Sequence, residues 1–122
     1  MTEYVVLLPG DESRWAEADA QTRKDVYARH EEFARLLAER GHRVTGSAEL
    51  EHSSRAKVVR GERGAVTVTD GPYAESVEQL TGFYLVQSDD LDDLLDLCGV
   101  LAGVEGVEVR AAVASSDPEV TG

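Results

Sequence analysis

Two strand-length apolar runs, Tyr4-Val5-Val6-Leu7-Leu8 and Phe83-Tyr84-Leu85-Val86, each precede a segment of helical periodicity, and this doubled pattern restricts the fold more than any other feature. The first run, over residues 3–8, ends at Pro9-Gly10 and reads as a buried strand closed by a turn. After a long polar approach, residues 21–40 carry Val26, His30, Phe33 and Leu37 at helical spacing, with Tyr27, Ala34 and Leu36 beside them. Such a stripe packs one helix face on a sheet, and Gly41 caps the C-terminus. Residues 42–50 have strand-like content. Residues 56–60 and 65–69 are short β-runs joined by Gly61-Glu62-Arg63-Gly64, a hairpin signal. Residues 83–87 form the next strand, and Ser88-Asp89-Asp90 then offers an N-cap with acids where a helix N-terminus favours them. That helix runs to about Ala102, residues 103–106 turn, and residues 107–113 make a last strand.

The order predicts an α+β, ferredoxin-like βαββαβ fold with an inserted β-hairpin, an antiparallel sheet and two helices on one face. Residues 1–113 are expected to form the single domain, and residues 114–122 a polar tail. A sheet with helices on one side leaves its other face uncovered, and 122 residues supply no third layer. A homodimer that stacks two sheets is the simplest cover.

Composition removes several function classes. The net charge is −12, and after Gly64 the only basic side chain is Arg110, against twelve carboxylates. Such a surface does not suit nucleic acid, whose phosphates need basic partners. Arg43, Arg55, Lys57, Arg60 and Arg63 form a locally basic stretch, read as charged edge strands that resist aggregation. The apolar runs are too short to span a membrane, and no signal-peptide pattern opens the chain, so a cytoplasmic location is expected. Cys98 keeps step with Leu91, Leu94, Leu95 and Leu101 and reads as a small buried hydrophobe. The acids of residues 89–96 alternate with leucines at helical steps and form a solvated helix face. Neither metal-ligand spacing nor a Gly-rich phosphate loop is present, so no metal or cofactor is expected.

The candidate site is Asp70-Gly71-Pro72-Tyr73-Ala74-Glu75. Gly71 and Pro72 together build a rigid bend that can hold Asp70 and Glu75 in a set geometry, although a tight loop with merely solvated acids would read the same way. His30, on the apolar stripe of the first helix, faces the interior or a cleft, unlike His42 and His52, which lie beside turns. It is either a packing histidine or a proton-transfer group. Tyr84 follows the alternation of its strand and suits the core, the dimer contact or a pocket equally. Trp15, in the polar approach, reads as a lid or a surface anchor.

Asp70 to Glu75, followed by Glu78-Gln79-Leu80-Thr81-Gly82-Phe83-Tyr84-Leu85-Val86, resembles the signature of the YCII-related family in its DGPF-type branch, with Tyr73 at the usual Phe position. The resemblance implies a dimeric α/β barrel. It also implies a small organic ligand, since some proteins of that group act on aromatic or lactone-like molecules. A helix-borne His opposite an Asp in a cleft would make His30 and Asp70 the catalytic pair, with Tyr73, Glu75 and Tyr84 shaping the pocket. Asp70 is then expected to be at least partly buried. The competing reading is a non-enzymatic dimeric ligand-binding or regulatory module, for example one associated with a sigma factor.

Overall fold

The computed structural model describes residues 1–103 and 105–114, and the expected tail from residue 115 onward lies outside them. The elements are β1 (Thr2–Asp11), α1 (Glu12–Glu17), α2 (Ala20–Glu39), β2 (Arg43–Glu49), β3 (Lys57–Glu62), β4 (Ala65–Asp70), β5 (Glu78–Ser88), α3 (Leu91–Ala102) and β6 (Glu108–Ala111). A short 3-10 turn, Ser53–Arg55, precedes β3. The order β2-β5-β1-β6, antiparallel throughout, makes this α+β chain ferredoxin-like. The β3–β4 hairpin is a separate two-stranded sheet inserted before β5.

The core lies between the sheet and the two longer helices. Val6 and Val86 from the central strands meet Phe33 and Leu37 of α2 and Leu94, Leu97 and Cys98 of α3. Each large side chain fully buried there stabilises the fold by roughly 1.5–3 kcal/mol over its exposed state. Tyr4, Tyr84 and Val109 share that sheet face and pack against the cluster. Val5, Leu7, Phe83 and Leu85 alternate to the opposite face, partly exposed and outside the cluster.

All three helices begin at an aspartate whose carboxylate accepts backbone N–H bonds: Asp11 from Ser13 and Arg14, Asp19 from Thr22, Asp90 from Asp93. At the end of α2, Gly41 takes φ +83°, its N–H donates to the Ala38 carbonyl, and the His42 N–H donates to that of Leu37. This is a Schellman stop, which explains why glycine sits there.

Several sequence expectations need correction. The polar approach contains a third helix, α1, signalled only by its capping Asp11. β1 runs through Pro9 to Asp11 because a register shift at Leu8/Pro9 accommodates the missing proline N–H, while the Thr81 hydroxyl donates to the Leu8 carbonyl at 2.9 Å. β5 starts at Glu78, which pairs with Asp11 and so belongs to the sheet. β6 is shorter than expected, ending at Ala111. Among the described residues no helix is long and apolar enough to cross a membrane.

Candidate functional site

The segment between β4 and β5 is held at both ends. The Gly71 N–H donates to the Ala56 carbonyl at 2.7 Å, and a Cβ on Gly71 would stand 2.9 Å from that of Ala56, so only glycine allows the approach. At the far end the Gln79 amide donates to the carbonyls of Ala74 (2.9 Å) and Ser76 (3.2 Å). Tyr73 stands out from this segment, 84% exposed, with the Arg60 guanidinium 5.9 Å from its ring centre.

Two clefts border the segment. One, of about 350 Å³, is lined by Pro72 and Tyr73 together with Leu50, Arg55 and Leu80. The other, of about 240 Å³, is lined by Glu75 and Val77 together with Asp11 and Glu12. His52, Ser53 and Gln79 line both. Glu12, at the start of α1, accepts from the Ser53 N–H at 2.7 Å and from its hydroxyl at 2.5 Å, which fastens the 3-10 turn to α1. The Ser54 N–H donates to Nδ1 of His52 at 3.1 Å. A backbone N–H can only donate, so Nδ1 carries no proton in this arrangement and Nε2, 3.8 Å from Glu12, carries one. His52, Glu12, Ser53 and Gln79 escaped the sequence reading. Glu12 and Ser53 are 41 positions apart, and no local pattern joins them.

His30 lies elsewhere. Its Nδ1 is 2.8 Å from the Tyr84 hydroxyl, the rings stack at 5.9 Å between centres, and Phe33 meets Tyr84 edge-on at 5.1 Å. Burial pushes the His30 pKa below and the Tyr84 pKa above their ordinary values, so both causes favour neutral partners. Nearby, the Tyr27 hydroxyl donates to Glu49 at 3.0 Å. Trp15, neither free lid nor bare anchor, packs edge-on to Tyr27 at 5.7 Å under the Arg23 guanidinium, which also donates to the Trp15 and Ala16 carbonyls.

The expected His30–Asp70 pair does not form. Asp70 ends β4 opposite Lys57 in the hairpin register, and the lysine Nζ donates to Oδ1 at 2.5 Å. That hydrogen bond, and the lysine charge, lower the Asp70 pKa. The carboxylate is 76% exposed rather than partly buried, because the hairpin stands apart from the main sheet. The five sequence candidates therefore fall into three places: His30 with Tyr84 beneath α2, Tyr73 and Glu75 at the clefts, and Asp70 at the base of the hairpin.

His42, expected beside a turn, is buried. Its Nδ1 is 2.8 Å from the Ser88 hydroxyl and its Nε2 2.7 Å from Asp93, which also accepts from Arg40 at 2.6 and 2.9 Å. The residue types echo a hydrolytic triad, but Ser88 is only 1% exposed and its Oγ accepts the Asp90 N–H. No substrate reaches that oxygen. The cluster clamps the α2–β2 junction to the start of α3, and the bonds from Arg40 and His42 hold the Asp93 carboxyl down at about 2. Burial pushes the Cys98 thiol up to about 11, the opposite of what a nucleophile needs. Among the described residues no group of three His, Cys, Asp or Glu side chains is placed to hold a metal ion.

Comparison with known proteins places the chain in a family. An uncharacterized protein of Rhizobium meliloti (strain 1021) is 37% identical over 97 residues, covering 76% of this chain and 74% of that protein. The family model for the YCII-related domain matches residues 2–115, nearly the whole length, and the chain belongs to the YCII-related family.

Proposed function

We propose that this protein is a homodimeric small-molecule-binding protein whose ligand occupies the joined clefts beside residues 71–77. One observation carries the reading: two adjoining hollows share His52, Ser53 and Gln79, and the bend contributes Tyr73 to one and Glu75 to the other. The lining suits a small organic molecule with an apolar body. Leu50, Leu80, Pro72 and the Tyr73 ring supply contact area, while the Gln79 amide and the His52 ring supply directed polar contacts. The partly exposed row Val5, Leu7, Phe83 and Leu85, on the sheet face opposite the core, supports a dimer that covers it.

Native mass spectrometry of the purified protein, followed by a metabolite screen read by thermal shift, tests the proposal. Tyr73→Ala and Gln79→Ala should abolish the shift given by any ligand that stabilises the wild type, whereas Glu78→Gln should keep it. Equal responses in all three variants would overturn the cleft assignment.

A second reading, acid–base chemistry at His30 with Tyr84 as its partner, draws support from their 2.8 Å contact and the lowered His30 pKa. His30→Gln would then eliminate turnover of a substrate bound beside His30 and Tyr84, away from the clefts.

A further inference from the structure

We propose that the valine face of the β3–β4 hairpin docks onto a second copy of this chain. The proposal rests on the homodimer reading and adds a contact that the sheet face alone does not supply. In the hairpin register Val59 stands opposite Val68, and Val66 opposite Gly61, so the three valines share one face of the ribbon, with the Lys57–Asp70 ion pair at its base. They are 59%, 56% and 50% exposed for Val59, Val68 and Val66. On the other face lie Val58 and Arg60, the latter reaching Tyr73. The valine face thus points away from the Tyr73 ring.

Three considerations select a second copy as the cover. An isolated two-stranded ribbon is marginal in water and needs packing on one face, and this hairpin pairs with no strand of the main sheet. A stable interface takes roughly 800 Å² from each partner. The open sheet face offers Val5, Leu7, Phe83 and Leu85, all of them already partly covered, and so leaves area for another element to provide. Charge supplies the third. The hairpin, residues 57–70, holds three basic and two acidic side chains, a net +1 within a chain of net −12, so the remainder carries −13. Two copies repel as wholes, yet the hairpin of one is attracted to the acidic body of the other.

Val59→Thr combined with Val68→Thr tests this, because threonine keeps the β-branched shape and the strand preference while making the face polar. The dimer dissociation constant is measured by light scattering over a dilution series, and hydrogen exchange of the hairpin amides is followed in the same samples. The expected result is a dissociation constant raised about tenfold or more. In the wild type, hairpin amide protection should fall as dilution splits the dimer. A dimer whose constant the double variant leaves unchanged, with hairpin amides exchanging fast in the intact dimer, overturns the docking contact while the homodimer stands. Such a result would free the valine face for a different protein. A wild type that is monomeric at micromolar concentration overturns the docking contact and the homodimer together.

Discussion

The partnership of His30 with Tyr84, in place of Asp70, can be measured as a coupling energy. Tyr84→Phe removes a hydroxyl 2.8 Å from His30 Nδ1 and leaves the ring stack and the Phe33 contact intact. A hydrogen bond between neutral groups contributes about 0.5–1.5 kcal/mol net. Both side chains are only partly buried, so water recovers some of the loss, and about 1 kcal/mol is the expected cost for Tyr84→Phe. With a urea m-value of about 2 kcal/mol per M, the midpoint should fall by roughly 0.5 M. His30→Leu paired with Tyr84→Phe in a double-mutant cycle should return a coupling of about 0.5–1.5 kcal/mol, whereas His30→Leu with Asp70→Asn should be additive within about 0.5 kcal/mol. Unfolding followed by circular dichroism supplies all the values. The pH dependence has a definite sign. Burial lowers the His30 pKa in the folded state, so as pH drops through the ordinary histidine range the unfolded chain takes up a proton that the folded one resists. Stability should decline over that range, and His30→Gln should remove this part of the slope. Coupling near zero for His30 with Tyr84, or an equally large coupling for His30 with Asp70, would refute the reasoning.

Two further outcomes are expected. Asp93 has its folded pKa depressed from 3.8 to about 2, so its contribution is present above 3.8 and lost as pH falls through 2; Asp93→Asn should lower the melting temperature at neutral pH and flatten the acid limb in a pH series. Gly82→Ala would bring a Cβ within 2.8 Å of the Ala48 carbonyl oxygen across the β2–β5 pair, which should cost about 1–3 kcal/mol and speed hydrogen exchange in β2.

The fold was legible because its signals are local. Strand alternation at residues 4–8 and 83–86, the four-three-four stripe of α2 and the glycines around the hairpin each state their structure within a few positions. The site was less so. Tyr73 and Glu75 come to the clefts through the Gly71-Pro72 bend that singled them out, but the opposite wall, Glu12 with His52 and Ser53, depends on pairing across some forty residues. The exposure of Asp70 depends on whether the hairpin joins the main sheet, and no residue within the hairpin encodes that. The burial of His42, which does follow the Gly41 turn, has a similar origin. Its partners Ser88 and Asp93 lie 46 and 51 positions away, and next to Gly41 a histidine looks like a turn residue.

The packing of Trp15 has a practical corollary. It is the chain's only tryptophan, so red-edge excitation of the indole reads a single location. Its helix also carries Glu12 and Ser13, which line one cleft, and its ring sits under Arg23 and against Tyr27. A molecule entering that cleft and pulling on α1 shifts the indole relative to a cation and a second aromatic ring, both of which alter emission. The protein thus carries its own fluorophore beside the cleft, through which the proposed binding can be followed spectroscopically without a label.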